Sequence, residues 1–174
     1  MPLRTEKVVR QGLFLALALI LHLVEAFLPP LPIPGVRLGL ANIVTLAVLE
    51  IQGPSSAFTL SLLRVLLGSF LAATFGTTAF WLSLSGALAS FLVMSSLSKF
   101  SRPRFGFLGL SVAGALSHNL AQLLVYSLLA DFGGFVYYLG VLAVAAVPTG
   151  MVVGFLAYWL CRVEGRMANA GFAL

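Results

Sequence analysis

The sequence predicts an all-α membrane protein with six transmembrane helices and with both termini in the cytoplasm. Of its 174 residues, 60% are hydrophobic and only 9% are charged, and the mean hydropathy is +1.08. A soluble domain carries about 25% charged residues, which is far more than this chain has available to cover a surface in water. Long apolar runs interrupted by proline, glycine and basic residues complete the pattern, so the bilayer is expected to surround most of the chain.

Six apolar runs follow one another within a single integral membrane domain, residues 1–174. The predicted helices cover residues 11–28, 37–51, 55–74, 79–97, 106–129 and 135–160. Pro29 and Pro30 end the first helix, and Gly53 and Pro54 precede the third, as helix-breaking residues should. The first run is long and is followed by further spans, so it is interpreted as a retained helix rather than a signal peptide.

The basic residues are distributed unevenly between the two sides of the predicted bundle. They occur before the first helix, after the fourth and after the sixth, at Arg4, Lys7, Arg10, Lys99, Arg102, Arg104, Arg162 and Arg166. The other side has only Arg37 near it, together with Asp131. Because positive loops stay in the cytoplasm, this bias places both termini there and the protein in the cell membrane. The net charge of +5 then needs no nucleic-acid partner.

Arg64 lies near the middle of the third predicted helix, where a charge costs on the order of 2.5–3.5 kcal/mol on insertion scales. It is too deep to reach either interface easily. One interpretation is a cationic anchor for an anionic or carbonyl-rich solute. The other is a structural ion pair with Glu25 or Glu50.

The fifth predicted helix has the densest polar pattern in the chain. Residues at steps of three and four form one stripe, and Asn119 flanks it; its members are Ser111, Ala115, His118, Gln122 and Tyr126. Each polar group needs a partner in hydrocarbon, either a neighbouring helix or a solute. Because packing rarely requires three such groups together, a stripe that faces a solute is favoured.

Two residues at the start of the second predicted helix extend this polar set. Arg37 lies at the outer interface, and Asn42 either contacts a solute or forms a hydrogen bond with the fifth helix. With the assigned orientation, most of these polar groups lie from the middle of the membrane outward. The hypothesis is a pocket that opens to the outside.

Small residues indicate where helices approach closely. Ser83, Gly86 and Ser90 on the fourth helix are typical of helix packing. Gly150 and Gly154, separated by three residues on the sixth helix, form a known helix-contact motif.

The motifs of several enzyme classes are missing. Neither Lys7 nor Lys99 follows a glycine, so there is no phosphate-binding loop. Asp131 is the only aspartate, which leaves no carboxylate cluster for Mg²⁺ and a diphosphate. The two histidines lack the partners of a zinc site, and the single cysteine excludes an internal disulfide. No catalysis, cofactor or metal is therefore expected of this chain.

Three segments together resemble a known family: PGVRLGLANIVTLAVLE, SLLRVLLGSFL and GLSVAGALSHNLAQLLVYSLL. The family is called Gx transporter and is also named heptaprenyl diphosphate synthase component I, and the resemblance covers nearly all of residues 8–162. It is similar to the S components of energy-coupling-factor transporters, which are six-helix proteins that bind a solute and work with a membrane scaffold and an ATPase pair. Many of these have an Ala-x-x-x-Ala contact on the first helix, for which Gly12-x-x-x-Ala16 is the nearest substitute here.

The resemblance implies a small solute, anionic or related to isoprenoids and cofactors. It implies that the solute contacts the polar residues that match the family segments, namely Arg37, Asn42, Arg64, His118, Asn119 and Gln122. The alternative that the second family name implies is a non-catalytic membrane subunit of heptaprenyl diphosphate synthase.

Overall fold

The structure is a computed structural model, and it describes residues 4–27, 39–100, 106–130 and 135–165. Six α-helices make up the described part of the chain. They are α1 (Arg4–Phe27), α2 (Asn42–Gln52), α3 (Pro54–Leu71), α4 (Thr78–Phe100), α5 (Phe107–Ala130) and α6 (Phe135–Val163).

The all-α fold with six helices confirms the prediction from the apolar runs. Five of these helices are long and apolar enough to cross a membrane, the exception being α2. α1 begins at Arg4 rather than near Gln11, so the basic residues before the apolar run belong to the helix. Large apolar side chains point away from the bundle: Phe27, Leu128 and Val144 are 82%, 83% and 74% exposed. A surface of this kind is suited to lipid rather than to water.

α2 is shorter than predicted and begins five residues later. Residues 37 and 38 lie outside the described residues, and the chain from Gly39 to Ala41 forms a turn before the helix starts at Asn42. Gly39 has a φ of 68°, a conformation that suits glycine, and its N–H donates to Glu25 Oε1 at 2.6 Å. The helix starts only after this turn, which the periodicity of apolar residues in the sequence cannot reveal.

α2 is too short to span a bilayer by itself. Its 11 residues rise about 16 Å, whereas the hydrocarbon core of a bilayer is about 30 Å thick. Residues 42–49 are all buried, and the helix packs against α1, α3, α4 and α6. α2 is therefore an internal half-length helix that the longer helices surround.

α5 packs most closely against α4 and α6. A Cβ atom added to Gly150 would lie 2.7 Å from Val112 Cα, and one added to Gly154 would lie 2.9 Å from Ser111 Cβ. Ser111 Oγ also donates a hydrogen bond of 2.6 Å to the carbonyl of Gly150. The glycine pair is thus a helix contact, as predicted, and the approach of the two backbones depends on it.

The start of α1 contacts the segment that follows α6. Arg10 and Glu164 form an ion pair at 3.5 Å, and their side chains are 34% and 27% exposed. An ion pair this exposed contributes about 1 kcal/mol or less. Gln11 Nε2 donates to the carbonyl of Ser56 at 2.7 Å at this same end. The start of α1 and the end of α6 therefore lie on the same side of the bundle.

Candidate functional site

A small internal cavity lies where α2, α4, α5 and α6 meet. Its volume is about 10 Å³, roughly the space that one water molecule needs. α5 contributes most of the wall, and the start of α2 closes one side. The lining residues are Gly39, Asn42, Met94, Ser111, Gly114, Ala115, His118, Asn119 and Val153.

The cavity lies near the middle of the bundle. Asn42 is ten residues before Gln52, the last residue of α2, which places it about 15 Å along the helix axis from that end. The lining residues of α5 run from Ser111, in the second turn, to Asn119, at the midpoint of that helix. The sequence predicted a pocket that opens to the outside, and the side on which this cavity opens stays a prediction.

Three predicted site residues meet at this cavity. Asn42, His118 and Asn119 are 5%, 5% and 3% exposed, although each carries polar atoms. Within the described ranges, Asn42 Oδ1 is buried without a hydrogen-bond partner. A buried acceptor left in this state costs free energy, so it favours a water or a ligand that donates a hydrogen bond.

The imidazole of His118 packs against α4 at a position occupied by a glycine. A Cβ atom at Gly86 would lie 2.7 Å from His118 Cε1 and 2.8 Å from Nδ1, closer than any side chain could remain. Gly86 therefore makes room for the ring. The prediction that Gly86 serves helix packing is confirmed, and its packing partner is a residue of the candidate site.

Gln122 lies one turn after His118 on the same face of α5. Its side chain is 1% exposed, and neither of its amide atoms has a hydrogen-bond partner in the part of the chain that the structure describes. It does not belong to the lining of the small cavity. Gln122 thus continues the polar stripe beyond the cavity, toward the later end of α5.

Arg64 lies on α3, apart from the residues that line the cavity. Its side chain is 4% exposed, so its charge is carried inside the bundle. Of the two carboxylates considered as its partners, Glu25 accepts from the Gly39 N–H at 2.6 Å, and Glu50 accepts from Ser98 Oγ at 2.8 Å. Arg37 lies outside the described residues.

Sequence reasoning did not place four lining residues in the site, namely Gly39, Met94, Gly114 and Val153. Gly114 is one turn before His118, so the spacing of the polar stripe contained the signal that could have found it. His22 was also passed over: it is 5% exposed, and its Cδ2 would lie 2.5 Å from a Cβ atom at Gly68. A second imidazole is thus packed against a glycine, between α1 and α3.

The described side chains give the site hydrogen-bonding chemistry. Amides, an imidazole and a hydroxyl surround the cavity. No group of three His, Cys, Asp or Glu side chains that could hold a metal ion occurs within the described ranges. Such a site can recognise a small polar group by hydrogen bonds.

Residues 14–160 match the family model of heptaprenyl diphosphate synthase component I. No curated protein and no solved structure matches the chain. The matched range includes α2 to α5 entirely and most of α1 and α6. The chain therefore belongs to the heptaprenyl diphosphate synthase component I family.

Proposed function

We propose that this protein is the solute-binding membrane component of a transport system, similar to the S components of energy-coupling-factor transporters. The supporting observation is the internal cavity between α2, α4, α5 and α6, with Asn42, His118 and Asn119 buried around it. The cavity lies inside a bundle whose outer face is apolar, which is the arrangement that a solute site within a membrane needs.

Packing alone is a poor explanation for this concentration of amides. A hydrogen bond between membrane helices contributes only about 0.6 kcal/mol on average, whereas an unsatisfied polar group in an apolar interior costs about 1–3 kcal/mol. Asn42 Oδ1 and both amide atoms of Gln122 lack partners among the described residues. A solute in the cavity would give Asn42 Oδ1 a hydrogen-bond partner that helix packing does not supply.

The exposed face of α1 supports the part of the proposal that concerns partners. Val9, Leu13 and Ile20 are 57%, 68% and 58% exposed, and nothing lies within 4 Å of a Cβ atom added to Gly12. A helix of a membrane scaffold could approach this face closely. Because the sequence carries no phosphate-binding loop, the proposal includes ATPase subunits that supply the energy.

The test is native mass spectrometry of the tagged protein, released from its own membranes in lipid nanodiscs and followed by extraction of bound small molecules. We expect a solute that remains with the wild type and is lost from Asn42→Ala. Thr59→Ala is the matched control, because its hydroxyl is exposed on α3 and bonds only to Ser55 in its own helix. A protein that is empty in every preparation, or that loses its solute equally in both variants, would contradict the proposal.

A second candidate rests on the name of the family: a non-catalytic membrane subunit of heptaprenyl diphosphate synthase. Asp131 is the only aspartate, so the carboxylates for prenyl transfer would have to come from a soluble subunit. The same purification separates the two candidates. Recovery with a membrane scaffold and ATPase subunits supports the transport component. Recovery with a soluble Asp-rich protein, and loss of synthase activity on deletion, supports the synthase subunit.

A further inference from the structure

A groove between α5 and α6 lies next to the small polar cavity. Its volume is about 330 Å³, which is within the range of ligand pockets. Nearly all of its wall is apolar, and Leu116, Leu120 and Leu139 are exposed along it, so it opens toward the lipid. The lining residues are Ala113, Leu116, Ser117, Asn119, Leu120, Leu139, Leu142 and Ala143.

Asn119 lies between the two spaces. It belongs to the lining of the cavity and to that of the groove, and it is only 3% exposed. An apolar groove that lipid alone fills has no need of a buried amide in its wall. One molecule could therefore lie in the groove and reach the polar cavity through the position of Asn119.

The size and charge of the cavity restrict what its polar end can be. A volume of about 10 Å³ holds one polar heavy atom and no phosphate. Among the residues that the structure describes, neither lining contains Lys or Arg, and His118 is the titratable side chain at the cavity. Asn42 Oδ1 accepts a hydrogen bond, and the amide of Asn119 can both donate and accept. These groups suit a hydroxyl or a carbonyl.

We propose that the solute is a neutral amphipathic molecule, with its hydroxyl or carbonyl in the cavity beside Asn42 and Asn119 and its hydrocarbon chain in the groove between α5 and α6. This inference deepens the proposed function and rests on it. It replaces the anionic solute considered from the sequence with an uncharged one, and it adds a direction of entry, from the lipid.

The test is photolabelling of the protein in phospholipid nanodiscs with a long-chain alcohol that carries a diazirine on its chain. We expect labelled peptides from the groove, with the label competed by unlabelled 1-dodecanol. Dodecyl phosphate, which has the same chain and a charged end, should compete about tenfold less well, a difference of about 1.4 kcal/mol. Phospholipid forms the nanodisc in every sample, so bulk lipid alone gives labelling that dodecanol does not reduce.

Two tryptophan variants on one helix provide the matched pair. Leu120 lines the groove and is 40% exposed, whereas Leu124, one turn later, is 46% exposed and is not in the lining. Leu120→Trp should reduce the competed labelling about tenfold or more by filling the groove, and Leu124→Trp should leave it unchanged. Asn42→Ala should reduce competition by dodecanol more than it reduces total labelling.

Three outcomes would overturn the inference: labelling that no competitor reduces, equal labelling of both tryptophan variants, or stronger competition by dodecyl phosphate. None of these would by itself contradict the proposed function, because a solute recovered by native mass spectrometry and lost in Asn42→Ala would still show a binding component. A recovered phosphate-bearing solute would keep the transport proposal and reject the neutral one.

Discussion

Replacing Gly86 by alanine should disturb the site through a single methyl group. The added Cβ would lie 2.7 Å from His118 Cε1, so the ring must move by about 0.8 Å to restore an ordinary carbon–carbon distance of about 3.5 Å. Overpacking of this kind costs about 1–3 kcal/mol. The change from glycine to alanine in a helix returns up to about 1 kcal/mol. The net loss of stability should therefore be near 1 kcal/mol.

Gly140→Ala is the matched control for this substitution. Gly140 is also in a helix, but nothing lies within 4 Å of the Cβ atom that alanine would add there. We expect this variant to be as stable as the wild type or slightly more stable. The assay is reversible unfolding in mixed micelles of increasing SDS content, with solute retention in nanodiscs measured on the same preparations.

Gly86→Ala should lower both stability and solute retention, whereas Gly140→Ala should lower neither. Displacement of the imidazole should lower solute retention, because His118 lines the cavity. If Gly86→Ala matched the control in both stability and retention, the close contact between α4 and the His118 ring would not position that side chain, and the reasoning would be refuted.

Two further substitutions test the helix contact and the orientation. Ser111→Ala removes the bond of 2.6 Å to the Gly150 carbonyl, so the free energy of unfolding should fall by about 0.6 kcal/mol. An unchanged midpoint would mean that glycine packing alone holds α5 and α6 together. In a Cys161→Ala background, Glu6→Cys should react with a membrane-impermeant thiol reagent only from the cytoplasmic side, and Thr77→Cys only from outside. Both positions are exposed, and labelling from the reverse sides would contradict the orientation that the basic residues predict.

Most of the fold could be predicted because hydropathy decides where a helix crosses a bilayer. The bounds of α3 to α6 lie within a few residues of the predicted ones, since glycine, proline and basic residues separate the runs. α2 is the exception. The stretch from Leu38 to Ala41 is as apolar as the helix that follows, and the hydrogen bond from Gly39 to Glu25 that marks the turn joins residues 14 apart. Such a contact depends on how α1 lies beside α2.

The candidate site was predictable in part for a similar reason. Asn42, His118 and Asn119 stood out because polar side chains are costly in hydrocarbon, and they line one cavity. The same cost singled out Arg64 and Gln122, which are buried outside that lining. Polarity reveals that a residue points inward but not toward which neighbours, since this depends on how each helix is rotated in the bundle.

The half-length of α2 has a consequence for how the protein is made. Its 11 helical residues are too few to enter the bilayer as an independent span, and they include Asn42 and Thr45, which are buried only in the completed bundle. The helices that cover α2 include α4 and α6, which leave the ribosome later. Stable insertion of α2 must therefore wait for the rest of the chain, so a nascent chain that stops before α6 should be an early substrate for membrane proteolysis.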